Sequence, residues 1–201
     1  LAARLCNLKE QKIFRSLNKI KNVNGRLELV KIFPGKRKIY VDFAHTPDAL
    51  EKSLNALLKG NGKNVSLVFG CGGDRDYAKR PLMGKIAQKY CKNFFVTDDN
   101  PRSENPDKIR KEIIGKIKSN NCFNVGNRAK AIKEAILKSD PNDIILVAGK
   151  GHEEEQIYKN KTIFISDKKI IKNIKLKKFF YKDPNLVQNK KILAEIKKGI
   201  D

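Results

Sequence analysis

The chain has 201 residues, 40% of them hydrophobic and 33% charged, which suits one full domain with a buried core and leaves room for a fragment of a second. Its formal charge of +22 comes from 44 basic residues that include only 9 arginines and are spread along the chain, a pattern typical of biased composition and not of a nucleic-acid-binding groove. The sequence contains no apolar run long enough to cross a bilayer, no segment resembling a signal peptide and no CxxC pair, so we expect a cytoplasmic protein with reduced thiols and no membrane span.

The first elements in chain order are a helix, two strands and a second helix. Apolar residues at helical spacing predict a helix over residues 1–20. Strand patterns follow at 27–33 and 38–44, separated by a turn. The second helix is predicted to begin at Pro47, because Thr46 can cap it and proline suits the first helical position.

The remainder of the chain continues the alternation of strands and helices. The predicted segments are strand 65–70, a helix from about 81 to 90, strand 92–97, helices 104–119 and 127–139, strand 143–149 and a hairpin at 155–165. We therefore expect an α/β fold, Rossmann-like, with a mostly parallel sheet and helices on both faces. Strands 65–70 and 143–149 are continuously apolar, which is typical of central strands buried on both sides.

Two loops that follow predicted strands carry residues that a simple turn does not need. The end of strand 38–44 and the loop after it carry Asp42 and His45 beside a helix start, although an ordinary capping role would also explain His45. The loop after strand 65–70 is rich in glycine, which could let backbone N–H groups approach an anion. It matches no phosphate-loop pattern, and its Arg75 could simply form a salt bridge with neighbouring acids.

Two later loops are also unusually polar. "TDDNPRSENPD", residues 97–107, contains two Asn-Pro pairs that suffice for a turn, yet it adds acids and an arginine. A loop that presents both charges at a strand end could bind a ligand that carries both, such as an amino acid. "VAGKGHEEEQ", residues 147–156, resembles a phosphate loop only superficially, because no Ser or Thr follows its lysine. All four loops are expected at one edge of one sheet.

Five motifs together resemble the Mur ligases of peptidoglycan synthesis, most closely the members that add diaminopimelate. They occur in the family's order and spacing over about residues 1–172, and they are "NGRLE", "VDFAHTPDALEKSL", "VFGCGGDRDYAKRPLMGKIA", "VTDDNPRSENP" and "DIILVAGKGHEEEQ". The resemblance implies that residues 1–22 end the central ATPase domain and that 23–173 form the Mur ligase C-terminal domain. Residues 174–201 form a basic tail of unknown role.

The resemblance also implies an activity. Such ligases use ATP to activate the carboxylate of UDP-N-acetylmuramoyl-L-alanyl-D-glutamate as an acyl phosphate, which the amine of meso-diaminopimelate then attacks. The implied cofactors are ATP and Mg²⁺, bound mainly by upstream domains of the same enzyme. No sequence matching the family's phosphate-binding loop occurs in the 201 residues, so we expect this chain to be inactive alone.

The family's site residues can be carried over only where its motifs match. The resemblance implies nucleotide contacts for Arg26, Asp42 and His45. It implies binding of meso-diaminopimelate by seven residues, which are Arg75, Asp99, Asn100, Pro101, Arg102, Gly149 and Glu153. No catalytic residue and no metal ligand is implied within this chain.

Two alternatives stay open at this point. A lysine-adding ligase of the same fold is disfavoured by Arg102, which suits the additional carboxylate of diaminopimelate. A non-catalytic basic α/β module could instead bind nucleic acid or a membrane through the lysine-rich tail.

Overall fold

The computed structural model describes residues 6–7, 9–17, 19, 23–61, 64–115, 117 and 119–176. The helices are α1 (Glu10–Leu17), α2 (Pro47–Asn61), α3 (Lys79–Tyr90), α4 (Pro106–Ile114), α5 (Arg128–Leu137) and α6 (Asp167–Asn173). The strands are β1 (Glu28–Phe33), β2 (Arg37–Asp42), β3 (Val65–Phe69), β4 (Asn93–Val96), β5 (Cys122–Asn124), β6 (Ile144–Ala148), β7 (Glu155–Tyr158) and β8 (Lys161–Phe164).

Six strands form one sheet in the order β1-β2-β6-β3-β4-β5, and β7 pairs with β8 as a separate hairpin. β1 runs antiparallel to β2, whereas the other neighbours in the sheet are parallel. β6 and β3 lie at the centre, and their residues are fully or almost fully buried. The expected mostly parallel sheet and the central position of the two apolar strands are therefore confirmed.

Helices cover both faces of the sheet, as predicted. α2, α3 and α4 pack on one face of the sheet, against the even-numbered residues of β6, such as Ile144 and Leu146. α5 and α6 pack on the other face with Ile145 and Val147. Successive residues of a strand point to opposite faces, so a strand between two helical layers must be apolar throughout. Each such side chain contributes about 1.5–3 kcal/mol by its burial.

The helix ends predicted from the sequence agree with the structure for the start of α2 but not for the end of α4. Thr46 Oγ1 accepts a hydrogen bond from Ala49 N at 3.3 Å, as expected of the cap of α2. The prediction of a helix over 104–119 was too long, because α4 ends at Ile114, where Gly115 has a φ of +52°. Glycine enters that region without steric cost, so it ends the helix although apolar residues continue at helical spacing.

Other predictions at the termini need correction or stay untested. The helix predicted over 1–20 is shorter in the described part, where only Glu10–Leu17 is helical. β5 and α6 were not predicted. Most of the tail 174–201 lies outside the described residues, and the domain boundaries at 22 and 173 stay predictions. Within the described residues, no helix is both long and apolar enough to cross a membrane.

Candidate functional site

Four loops meet at the edge of the sheet where the parallel strands end. β2, β3, β4 and β6 all run in the same direction, so the segments that follow them share this edge. Ligands of open α/β sheets usually bind at the carboxyl ends of the strands. The structure therefore brings together the four loops that the sequence singled out.

The loops after β3 and β4 are joined by hydrogen bonds to backbone oxygens of both loops. Gly73 N donates to Asn100 O at 2.9 Å, and Arg102 Nη1 donates to Gly73 O at 2.9 Å. A Cβ at Gly73 would collide with the carbonyl oxygen of Pro101. The N–H of Gly73 is therefore not available to an anion, and the lack of a side chain at this glycine allows the two loops to pack.

Arg80 was not predicted as a site residue, and its hydrogen bonds support both loops. Its buried guanidinium donates to Glu104 at 2.8 and 2.9 Å, to Glu112 at 2.6 Å and to Gly72 O at 3.3 Å. Hydrogen bonding by Arg80 holds the pKa of the Glu104 carboxyl below its usual range. Glu104 Oε1 in turn accepts from Asp74 N at 2.6 Å, so one ion pair supports both loops.

Arg102 has a left-handed backbone and a guanidinium that is only partly used. Its φ is +52°, and its N–H donates to Ile157 O of the hairpin at 2.9 Å. Nη1 bonds Gly73 O and, at 3.3 Å, Asn100 O. Nε and Nη2 make no hydrogen bond within the described residues. These two N–H directions are the pair that can meet a carboxylate with two parallel hydrogen bonds.

Carboxylate and amide groups from the loops after β4 and β6 contact one another around Asn100. Asn100 N donates to Asp99 Oδ1 at 2.8 Å, and Asn100 Nδ2 donates to Glu153 Oε2 at 3.2 Å. Gly149 has a φ of +108°, and a Cβ there would lie 2.8 Å from Asp99 Oδ2. The structure thus places Asp99, Asn100, Gly149 and Glu153 in one group, as the sequence analysis expected of a shared site.

Lys150 belongs to this group and was missed as a site residue. It is 0% exposed, and its ammonium donates to Asn100 Oδ1 and Glu153 Oε2, both at 3.2 Å, and to the carbonyl oxygen of Glu155. In the sequence, Lys150 stands out only as the lysine of an incomplete phosphate-loop pattern. A lysine between two glycines directly after a buried strand was the available signal.

Two of the predicted site residues add no side-chain hydrogen bond to this group within the described residues. Arg75 is exposed, and its guanidinium donates only to its neighbour's carbonyl, Asp74 O, at 3.2 Å within the described residues. The expected salt bridge of Arg75 with the adjacent acids is not formed there. Pro101 is buried and contributes its backbone to the packing of the two loops.

Two of the residues expected to contact a nucleotide surround one aromatic ring. The Arg26 guanidinium lies 4.4 Å from the centre of the Phe43 ring, and the His45 ring packs edge-on against it at 4.7 Å. His152, which was not predicted, stacks on Phe43 at 5.5 Å. Arg26, His45 and His152 are exposed, so this cationic and planar cluster is open to an anionic, aromatic ligand.

Asp42, the third residue of that expectation, is already engaged. Its carboxylate is buried, with Oδ1 accepting from Ala44 N at 3.0 Å and Oδ2 accepting from Ser53 Oγ at 2.9 Å. These bonds tie the end of β2 to α2. The structure therefore shows a structural role for Asp42, while its nucleotide contact stays a prediction.

A buried ion pair lies beneath the loop after β6. Arg128 donates to both oxygens of Asp167, at 2.8 and 2.7 Å, and to Ala148 O at 3.0 Å. Burial alone would lower the pKa of Arg128, but the carboxylates of Asp167, Asp99 and Glu153 raise it. Arg128 thus fixes the last residue of β6, next to Gly149, and joins α5 to α6.

The described residues contain no group of three or more His, Cys, Asp or Glu side chains arranged to hold a metal ion.

Comparison with known families finds that residues 25–151 match the family described as "Mur ligase, glutamate ligase domain". This match covers the first three loops and ends inside the fourth.

Individual relatives point to the same family. The chain is 45% identical over 166 residues to UDP-N-acetylmuramoyl-L-alanyl-D-glutamate–2,6-diaminopimelate ligase of Buchnera aphidicola subsp. Schizaphis graminum, covering 82% of this chain and 33% of that protein. It is 47% identical over 161 residues to the ligase of the same name from Rickettsia bellii, covering 79% and 33%. A solved structure with that name superposes with a TM-score of 0.69 at 33% identity, covering 85% of this chain and 35% of that one.

The chain spans about a third of the length of the curated relatives that it matches. The family model covers more than half of the chain, and the fold agrees with that of the solved relative. On these grounds the chain belongs to the Mur ligase family, through its glutamate ligase domain.

Proposed function

We propose that this chain is the amino-acid-binding and nucleotide-contacting part of an ATP-dependent ligase. The complete enzyme would join meso-diaminopimelate to UDP-N-acetylmuramoyl-L-alanyl-D-glutamate in cell-wall synthesis. The names of the relatives support this reaction. The observation that carries the assignment to this chain is Arg102, whose Nε and Nη2 make no hydrogen bond within the described residues. Arg102 is also joined through Asn100, which contacts both Asp99 and Glu153.

This arrangement suits the head group of an amino acid. The guanidinium of Arg102 would take the carboxylate, and Asp99 and Glu153 would accept hydrogen bonds from the ammonium. Diaminopimelate carries such a head group at both ends, so one end can be held here while the amine of the other end reacts. Binding of this kind contributes to catalysis by holding the attacking amine in place.

The cluster around Phe43 is proposed to contact the nucleotide. When bound, ATP supplies the phosphoryl group that activates the acceptor carboxylate. Arg26 can neutralise phosphate charge, and the exposed rings of His45 and His152 offer planar surfaces beside it. We place the phosphate-binding loop and the Mg²⁺ ligands in other parts of the enzyme, as the family resemblance implies, and we assign the protein to the cytoplasm.

The proposal is tested by assaying ADP release by the complete enzyme with the UDP-linked dipeptide and either meso-diaminopimelate or lysine. We expect turnover with meso-diaminopimelate and little with lysine. The 201-residue chain alone should release no ADP, because its sequence lacks a phosphate loop. Equal use of lysine would support the lysine-adding alternative, and turnover by the isolated chain would contradict the division of roles.

Arg26→Ala is expected to raise the KM for ATP in the complete enzyme by roughly tenfold or more, because a charge-assisted contact to a phosphate is lost. Arg26 is exposed, so the melting temperature should hardly change. Arg26→Lys keeps the positive charge and should have a smaller effect. Steady-state kinetics at varied ATP would show this, and an unchanged KM for ATP in Arg26→Ala would remove Arg26 from the nucleotide site.

A further inference from the structure

We propose that Lys150 is a positioning residue of the amino-acid site, whose buried ammonium orients Asn100 and Glu153 so that their free atoms face the ligand. This inference rests on the proposed function. It assigns to Lys150 no contact with the reacting atoms. Its action is through the side chains that hold the amino acid.

The backbone around Lys150 directs its side chain into the site. Gly149 and Gly151 flank it with φ values of +108° and +55°, conformations that residues with a Cβ rarely adopt. A Cβ at Gly151 would also lie 2.8 Å from both Gly25 O and the Cβ of Phe43. An ammonium that is fully buried must find oxygen partners, and three oxygens surround this one.

Lys150 and the backbone N–H of Ile157 together determine which way the Asn100 amide points. Asn100 Oδ1 accepts from Lys150 Nζ at 3.2 Å and from Ile157 N at 3.0 Å. The opposite orientation would place the amide nitrogen, a donor, against two other donors. The Nδ2 group must therefore face Glu153, and this orientation follows from the chemistry of its partners.

The same contacts determine which carboxylate oxygens remain free. Glu153 Oε2 accepts from both Asn100 Nδ2 and Lys150 Nζ at 3.2 Å, whereas Oε1 has no partner within the described residues. Asp99 Oδ1 accepts from Asn100 N, and no hydrogen bond to Oδ2 is formed there. Two carboxylates and one ammonium leave a single negative charge, which one ligand ammonium would neutralise.

Lys150 also connects the site to the hairpin of β7 and β8. Its ammonium donates to the carbonyl of Glu155, the first residue of β7. Two residues further on, Ile157 donates to Asn100 Oδ1 and accepts from the N–H of Arg102. The ammonium thus helps to place the hairpin that holds Arg102 in its left-handed conformation. The groups that would bind the carboxylate and the ammonium of the ligand therefore both depend on Lys150.

The test uses Lys150→Met in the complete enzyme, a change that keeps the length of the side chain and removes its charge. We expect the KM for meso-diaminopimelate to rise about 10- to 100-fold, since displaced binding groups have effects of this size, while the KM values for ATP and the UDP-linked dipeptide stay near those of the unaltered enzyme. Lys159→Met is the matched control, because Lys159 is exposed at the turn of the hairpin, and it should behave as the unaltered enzyme.

The outcomes separate this inference from the proposed function. If the unaltered enzyme does not use meso-diaminopimelate, the proposed function fails. If it does, and Lys150→Met keeps its KM for that substrate or raises all three KM values alike, only the positioning role is overturned.

A measurement on the unaltered enzyme covers the case in which Lys150→Met does not fold. The Lys150 Nζ and Asn100 side-chain amide resonances of ¹⁵N-labelled enzyme should both shift when meso-diaminopimelate is added. They should not shift when ATP alone is added. Chemical shifts that stay unchanged at a saturating concentration of meso-diaminopimelate would overturn the inference.

Discussion

Arg102→Ala is expected to lower kcat/KM for meso-diaminopimelate by roughly 30- to 700-fold in the complete enzyme, equivalent to about 2–4 kcal/mol for the loss of a paired, charge-assisted contact. The physical reason is the Nε and Nη2 pair of its guanidinium, which makes no hydrogen bond within the described residues and can meet a carboxylate with two parallel bonds. Lysine has no carboxylate at its far end, so its already poor use should change little. The ratio of kcat/KM for the two amino acids should therefore collapse.

The control for this prediction is Arg102→Lys, which keeps a positive charge but cannot form two parallel hydrogen bonds. Alanine, lysine and arginine all carry a Cβ, so the steric cost of the φ of +52° is shared by the three proteins. Arg102→Lys should lose most of the preference as well. An unchanged ratio in Arg102→Ala would show that the preference for meso-diaminopimelate, if present, arises elsewhere.

Arg128→Met is expected to lower the free energy of unfolding of the chain by about 3–5 kcal/mol, because it leaves the carboxylate of Asp167 buried without its cation. The side chains of both residues are almost fully excluded from solvent, and the pair is held by two hydrogen bonds. Denaturant unfolding of the 201-residue chain measures this difference.

Removing both charges together separates the ion pair from packing. The double substitution Arg128→Met with Asp167→Leu should be clearly more stable than Arg128→Met, because no buried charge remains unpaired. Lys52→Met serves as the control, since its pair with Asp48 is exposed on α2 and should contribute less than about 0.5 kcal/mol. If the double substitution is no more stable than the single one, the loss arises from packing around Arg128 and not from the stranded carboxylate.

Sequence patterns that extend over a few residues were enough to predict the architecture. The continuous apolar runs at 65–70 and 143–149 identified β3 and β6 as central strands, because a strand covered on both faces must be apolar throughout. Alternation of strands with helices predicted the parallel sheet, and parallel strands place their following loops at one edge. The grouping of Asp99, Asn100, Gly149 and Glu153 follows from that topology and from the family's motifs.

Only the tertiary structure decided which polar groups support that site. Lys150 reaches Asn100, 50 residues away, and Arg80 reaches Glu104, 24 residues away. Arg128 meets Asp167 across 39 residues, and Asp167 lies outside the stretch matched by the family model. A lysine or arginine in a sequence is typically a solvated surface residue, and nothing in its immediate neighbours shows a distant acid that would allow its burial. The sequence by itself therefore determined the layers, the central strands and the edge where the loops meet, whereas long-range charge pairing, which depends on the packed fold, decided how those loops are held.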